Sequence, residues 1–223
     1  MHIPDGLMSP LVIAAGWIIS LTVLYIVNRR LRGRMEDESI PLMAVLAAGI
    51  FVAQMLNFPI GGGTTGHLVG AALASIVLGP VCGIIVITTI LIIQCLLFGD
   101  GGITALGLNI LNMAIIGALV GWYFYRLLPF KSEGVRISIA SWLAVFLGAF
   151  ACALELAMSY SISGGDYGIK ASMAFPAMLG YHAVIGLGEA IITTGVITYL
   201  SHVSPDMIRL PKITFSGVVE VGE

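Results

Sequence analysis

The chain has 223 residues, 58% of them hydrophobic and 10% charged, with a mean hydropathy of +1.04, against roughly 25% charged residues in soluble domains. This is the composition of an all-α integral membrane protein, with the lipid bilayer as its solvent. The formal net charge of -2 offers no basic face, which excludes nucleic acid as a partner.

In chain order, seven apolar segments meet or approach the roughly 17–25 residues that a spanning helix needs. They run over Ser9–Leu31, Pro41–Leu56, His67–Leu78, Pro80–Phe98, Ile103–Leu128, Ile137–Ile162 and Ala171–Leu200. The first lacks a preceding positive region and is followed by Arg29, Arg30, Arg32 and Arg34, the reverse of a signal peptide; it reads as an uncleaved span. Gly79-Pro80 is either a turn between two spans or a kink within one. With a turn and the amino terminus outside, every Lys and Arg except Lys170 falls on the inner side; with a kink, the cations split evenly. The positive-inside rule favours the turn.

The predicted architecture is a single membrane domain over residues 1–223. Residues 1–8 form an extracellular metal-binding segment, 9–200 a seven-transmembrane-helix bundle, and 201–223 a short cytoplasmic tail. The protein is expected in the cell membrane as a multi-pass protein. Ala44-x-x-x-Ala48 and Gly117-x-x-x-Gly121 are small-residue pairs suited to close helix approach, within the chain or against a partner. Cys82, Cys95 and Cys152 lie singly in apolar stretches and read as small buried hydrophobes.

The chain starts Met1-His2-Ile3-Pro4-Asp5-Gly6. A free Met1 amine, the His2 amide and the His2 imidazole Nδ1 can close five- and six-membered rings on one ion, in a planar nitrogen set that suits Ni(II) or Cu(II). An initiator followed by an arbitrary residue explains the same letters. The topology puts the stretch from Asn57 to His67 on the same outer side. Its glycines and threonines suggest a phosphate loop, but no lysine stands where that loop requires one and no strand precedes it, so ATP binding is rejected. His67 is either a surface residue at a helix end or a fourth nitrogen completing the plane.

Asp5 is expected to cap the first helix, form a turn, or lie beside the bound cation. Ionisable residues within spans default to functional hypotheses: Glu155 and His182 are candidates beside the site, and Glu189 is a packing contact first. Asn57, Asn109 and Asn112 are expected to form hydrogen bonds between helices. The ten methionines are scattered and read as core packing.

The opening hexapeptide, the glycine-rich run ending Thr64-Thr65-Gly66-His67 and the seven short spans together resemble the CbiM/NikM family, the cobalt and nickel substrate-capture components of energy-coupling-factor transporters. The resemblance covers essentially the whole chain. It implies no enzyme and no catalytic cofactor, but a subunit that captures Ni2+ or Co2+ outside the cell. Its implied partners are a membrane coupling subunit, cytoplasmic ATPases and a small accessory membrane subunit. Carried over by position, the ligands are Met1 through its amine, His2 through amide and imidazole, and His67 through imidazole; Ala44 and Ala48 fall on the surface that docks on the coupling subunit.

Two other classes compete. A self-sufficient permease or channel needs a path of ionisable groups, for which only Glu155, His182 and Glu189 are present. An intramembrane enzyme would have to use Ser159 or Ser161 with Glu155 and His182. Because metal ligands bind deprotonated, ordinary amine and imidazole values predict affinity falling between about pH 8 and 6.5.

Overall fold

The computed structural model describes residues 1–35, 39–60 and 64–219. Its helices are α1 (Pro10–Leu31), α2 (Ser39–Gln54), α3 (Ala71–Leu78), α4 (Pro80–Ile93), α5 (Leu106–Asn109), α6 (Gly117–Leu127), α7 (Glu133–Ile162), α8 (Ala171–Val203) and α9 (Pro205–Arg209). α4 widens into a π-helical turn over Gln94–Phe98, and α5 runs through a π-helical stretch, Ile110–Ile116, into α6. Two small antiparallel ribbons complete the fold: β1 (Phe58–Ile60) with β2 (Thr64–Gly66), and β3 (Lys212–Ile213) with β4 (Val218–Val219).

Among the described residues, five helical stretches are long and apolar enough to cross a membrane: Pro10–Leu31, Pro80–Phe98, Leu106–Leu127, Glu133–Ile162 and Ala171–Val203. α2 is apolar but has 16 residues, and α3 has 8, about 12 Å of rise. Gly79, with φ of +86°, reverses the chain so that α3 and α4 lie side by side. A Cβ on Gly83 would lie only 2.9 Å from Ser75 Cα, so a glycine is what lets the two helices approach this closely. The Gly79-Pro80 signal is therefore a turn.

The two small-residue pairs have opposite uses. Gly117 and Gly121 pack within the chain, where added Cβ atoms would meet Ala71 and Ala72 of α3 at 2.8 and 2.7 Å. Ala44 and Ala48 face outward with Val45 and Val52, opposite the buried stripe Leu42, Leu46, Ile50 and Gln54.

Several segment starts differ from the sequence expectation. Residues 67–70 precede α3 instead of opening it, because Gly70 adopts φ of +71° and Glu189 takes the Val69 and Gly70 amides. α8 starts at Ala171 as expected and carries Pro176 within it. At one end of the bundle Lys212 is buried, and its ammonium donates to the carbonyls of Val77 and Ile208. Burial lowers its pKa to about 8. Arg34, Arg126 and Arg136 line clefts at this same end.

α1 meets α5 where Trp17 crosses Gly107. A Cβ on Gly107 would sit 2.7 Å from Trp17 N, so Gly107→Ala should cost about 1–3 kcal/mol through overpacking. Gly49→Ala, with nothing within 4 Å of its added Cβ, should leave the melting temperature in detergent unchanged within error. Equal melting temperatures for the two variants would contradict this packing.

Candidate metal centre

Residues 1–3 enter the bundle as a plug. Met1, His2 and Ile3 are 1%, 2% and 0% exposed, and the segment is held mainly through its backbone. Ile3 N donates to Asn109 Oδ1 at 2.8 Å, while Asn109 Nδ2 donates back to Ile3 O at 3.2 Å and Gly102 N joins at 2.9 Å. Asn109, expected between helices, acts here as an artificial strand edge for the amino terminus. Farther along, Gly168 N donates to Leu7 O at 2.7 Å and Ser9 N to Ser159 Oγ at 2.7 Å.

The Met1 nitrogen donates to Thr65 O and lies 3.4 Å from His67 Nε2. The His2 and His67 rings meet edge to face, with centroids 4.6 Å apart. Three expected nitrogen sources thus converge. No hydrogen bond among those of the described residues takes the His2 amide, which sits between the engaged nitrogens of Met1 and Ile3. The Met1 side chain runs along α7, where a Cβ on Gly148 would touch its Cε and Sδ at 3.4 and 3.5 Å.

Asp100 completes the arrangement around His2. Its Oδ1 lies 2.6 Å from His2 Nδ1, an ion-pair contact that lacks hydrogen-bond alignment, and its Oδ2 accepts from Asn57 Nδ2 at 2.8 Å. Asn57 thus reaches the site through Asp100. The sequence reading passed over Asp100; the signal available was an acidic residue followed by Gly101-Gly102 in a turn on the same side as His2. Gly101, with φ of +87°, passes beside His2, 3.6 Å from its Cβ if a side chain were built there.

The remaining candidates divide. Asp5 does not cap α1: it accepts from Thr104 N and Oγ1 at 2.7 and 2.5 Å and from Ile103 N at 3.1 Å. Four residues separate it from α1, whose N-cap is Ser9. Glu155 accepts from Asn112 Nδ2 at 2.7 Å across α7 and the Ile110–Ile116 stretch. His182 is fully buried, its Nδ1 on Met178 O at 2.8 Å and its Nε2 without a hydrogen-bond partner among the described residues. Ser159 is engaged by Ser9, and Ser161 bonds its own helix at Ala157 O; neither is hydrogen-bonded to Glu155 or His182 among the described residues.

Burial lowers the Met1 amine pKa to about 5, against weaker opposing effects of Cys152 and Asp100. Burial likewise lowers His2 and His67, with the amine's charge adding to both. Asp100 stays below the usual carboxylate range: burial pushes it up, but His2 and Asn57 outweigh that. The amine and both imidazoles are therefore neutral bases at pH 7 beside an ionised Asp100, and the amine titrates near pH 5 instead of near 8. Asn112 Oδ1 and His182 Nε2 are buried polar atoms with no hydrogen-bond partner among the described residues.

The profile of the CbiM family, described as a cobalt uptake substrate-specific transmembrane region, matches residues 2–207. The chain belongs to the CbiM family. It is 43% identical over 209 residues to a putative fused nickel transport protein NikMN of Archaeoglobus fulgidus, covering 94% of this chain and 68% of that protein. A putative cobalt transport protein CbiM of the same organism is 30% identical over 95% of this chain and all of its relative. A crystal structure of a truncated transition metal transporter superimposes with a TM-score of 0.86 at 37% identity, covering 91% of this chain and 99% of that one. This CbiM-family chain is thus a multi-pass plasma-membrane protein of a cobalt and nickel transport family, and not an enzyme.

Two outcomes test the site as built. Asn109→Leu removes both bonds to Ile3, so amide exchange at Ile3 should accelerate about tenfold, the effect of roughly 1–2 hydrogen bonds; unchanged exchange would contradict the anchor. Because the folded amine pKa is lowered from 8.0 to about 5, the unfolded chain binds more protons between those values. The metal-free chain should lose stability as pH falls from 8 to 5, measured by melting temperature in detergent.

Proposed function

We propose that this chain is the capture subunit for a transition-metal dication, Ni2+ before Co2+, in an ATP-driven uptake system. The observation that carries the reading is the buried Met1 nitrogen beside His67 Nε2, with the His2 ring against both. The proposed ligands are the Met1 amine, the His2 amide and Nδ1, and His67 Nε2. His67 Nδ1 is already turned to Leu68 O at 2.6 Å, which leaves Nε2 as the lone pair facing the amine. His2 Nδ1 has to turn from Asp100 toward the amine to join the plane.

Nickel is favoured because a deprotonated amide and four nitrogens in a plane suit Ni(II), and because the relatives at 43% and 36% identity are named as nickel transport proteins while those named for cobalt fall near 30%. We place this site on the extracellular side, with the cationic end of the bundle in the cytoplasm and seven crossings in which α2 and the 67–78 segment are the short ones. Energy enters through a membrane coupling subunit and ATPases, with a small accessory membrane subunit as a further partner. The outward Ala44–Ala48 face of α2 suits docking on the coupling subunit. Release follows when the amino-terminal plug separates from the β1–β2 ribbon.

At pH 7 the amine and imidazoles are already neutral, so binding should release about one proton, from the His2 amide. Titration calorimetry in buffers of different ionisation enthalpy should give that value from pH 8 to 6 and a rise as pH falls through about 5, where the amine gains its proton. No proton release at pH 7 would exclude amide ligation. One residue added before Met1 should abolish tight Ni2+ binding with the melting temperature of the metal-free chain retained.

A further inference from the structure

Two side chains near one end of α2 reach opposite arms of the centre. Gln54, 0% exposed at the end of the helix, donates from Nε2 to Val69 O at 2.6 Å. Val69 lies two residues beyond His67, and its own amide, with that of Gly70, is held by the Glu189 carboxylate at 2.8 and 2.6 Å. Asn57, three residues past Gln54, donates to Asp100 Oδ2 at 2.8 Å, and Asp100 Oδ1 faces His2 Nδ1 at 2.6 Å.

Apolar contacts follow the same two routes. Ile50 packs on Gly70 so closely that a Cβ there would lie 2.6 Å from Ile50 Cγ2. Phe51 meets Phe98 edge to face at 5.3 Å, two residues before Asp100. One end of a single helix thus touches the supports of both imidazoles, while the other face of that helix is exposed at Ala44, Val45, Ala48 and Val52. A helix held along one narrow stripe is free to shift as a unit in a way that α3, buried at every residue, is not.

We propose that Gln54 and Asn57 are positioning residues through which α2 acts on both arms of the metal site: Gln54 fixes His67 by way of Val69, and Asn57, by way of Asp100, holds His2 Nδ1 in the orientation it leaves on binding. This rests on the ligand set proposed above. A shift of α2 moves both imidazoles together, so the helix that carries the exposed small-residue face is also the one that opens the site. Glu189 holds the same loop from α8, which stays in place, so Val69 becomes the hinge between a fixed and a movable support.

The test uses the full chain in detergent, titrated with Ni2+ and followed by the visible absorption of planar nickel. Gln54→Met keeps volume and removes the donor; Asn57→Ala removes the second contact. Gln54→Met should weaken binding about three- to tenfold, the effect of one hydrogen bond, and Asn57→Ala should tighten it by a similar factor by freeing His2 Nδ1 from its Asp100 support. His67→Ala leaves three nitrogens and a measurable weaker site. In that background Gln54→Met should add less than about twofold, while Asn57→Ala keeps its full effect, as expected when only coupled residues depart from additivity. A Gln54→Met effect that persists undiminished without His67, or no effect in the parent chain, overturns the proposal. An amino-terminal extension measured alongside separates the two readings. Tight binding through an extended terminus would overturn the ligand set itself; its loss beside an unaffected Gln54→Met overturns only the role of α2.

Discussion

An amino group buried inside an apolar bundle is the constraint on which the rest of this structure depends. A charged ammonium in that position is costly to desolvate, and the fold answers by holding the group neutral, with a pKa near 5, against a carbonyl and an imidazole nitrogen. Almost everything around residues 1–3 serves to keep them there. Asn109 offers a two-sided hydrogen-bonding edge, Gly101 gives room beside His2, and Gly148 gives room for the Met1 side chain. The result is a pocket of neutral nitrogen donors that water reaches poorly, which is the chemical requirement for stripping and holding a hydrated dication. Here the initiator methionine contributes through both ends, its nitrogen at the site and its thioether in the core.

The fold positions this plug with elements of unequal strength. α7 and α8 are long, and α3 with α6 pack through glycine and alanine at backbone distance. α2 is different: it has 16 residues and a single buried stripe, yet its end supports both histidines. The two small-residue pairs read identically as letters, but one is consumed in packing inside the chain and the other faces outward. That division puts an external surface and a contact to the loop after His67 on one short helix.

Much of this was legible in the residues. Charge placement required a reversal at Gly79-Pro80, and it brought Met1, His2 and the segment before His67 to one end; the apolar runs gave the helices to within a few residues. What escaped was polar second-layer detail. Asp100 sits in a short turn whose letters resemble any glycine turn, and only the path of the plug brings it to His2. Asn109 was expected to join helices because nothing in one sequence says that an amide at that position will mimic a strand edge. For Asp5 the residues left a cap on α1, a turn or a place beside the cation open, and its partners at 103–104 lie about a hundred residues away. The three-residue tip of the glycine-rich run, 61–63, lies outside the described residues.

X-ray absorption at the nickel edge of the Ni2+-loaded chain tests the central claim most directly. The account predicts four nitrogen donors in one plane, with two imidazole signatures and neither sulfur nor carboxylate oxygen bound. A site showing carboxylate or thiolate ligation, as from Asp100, Glu155 or Cys152, or a single imidazole, would contradict it.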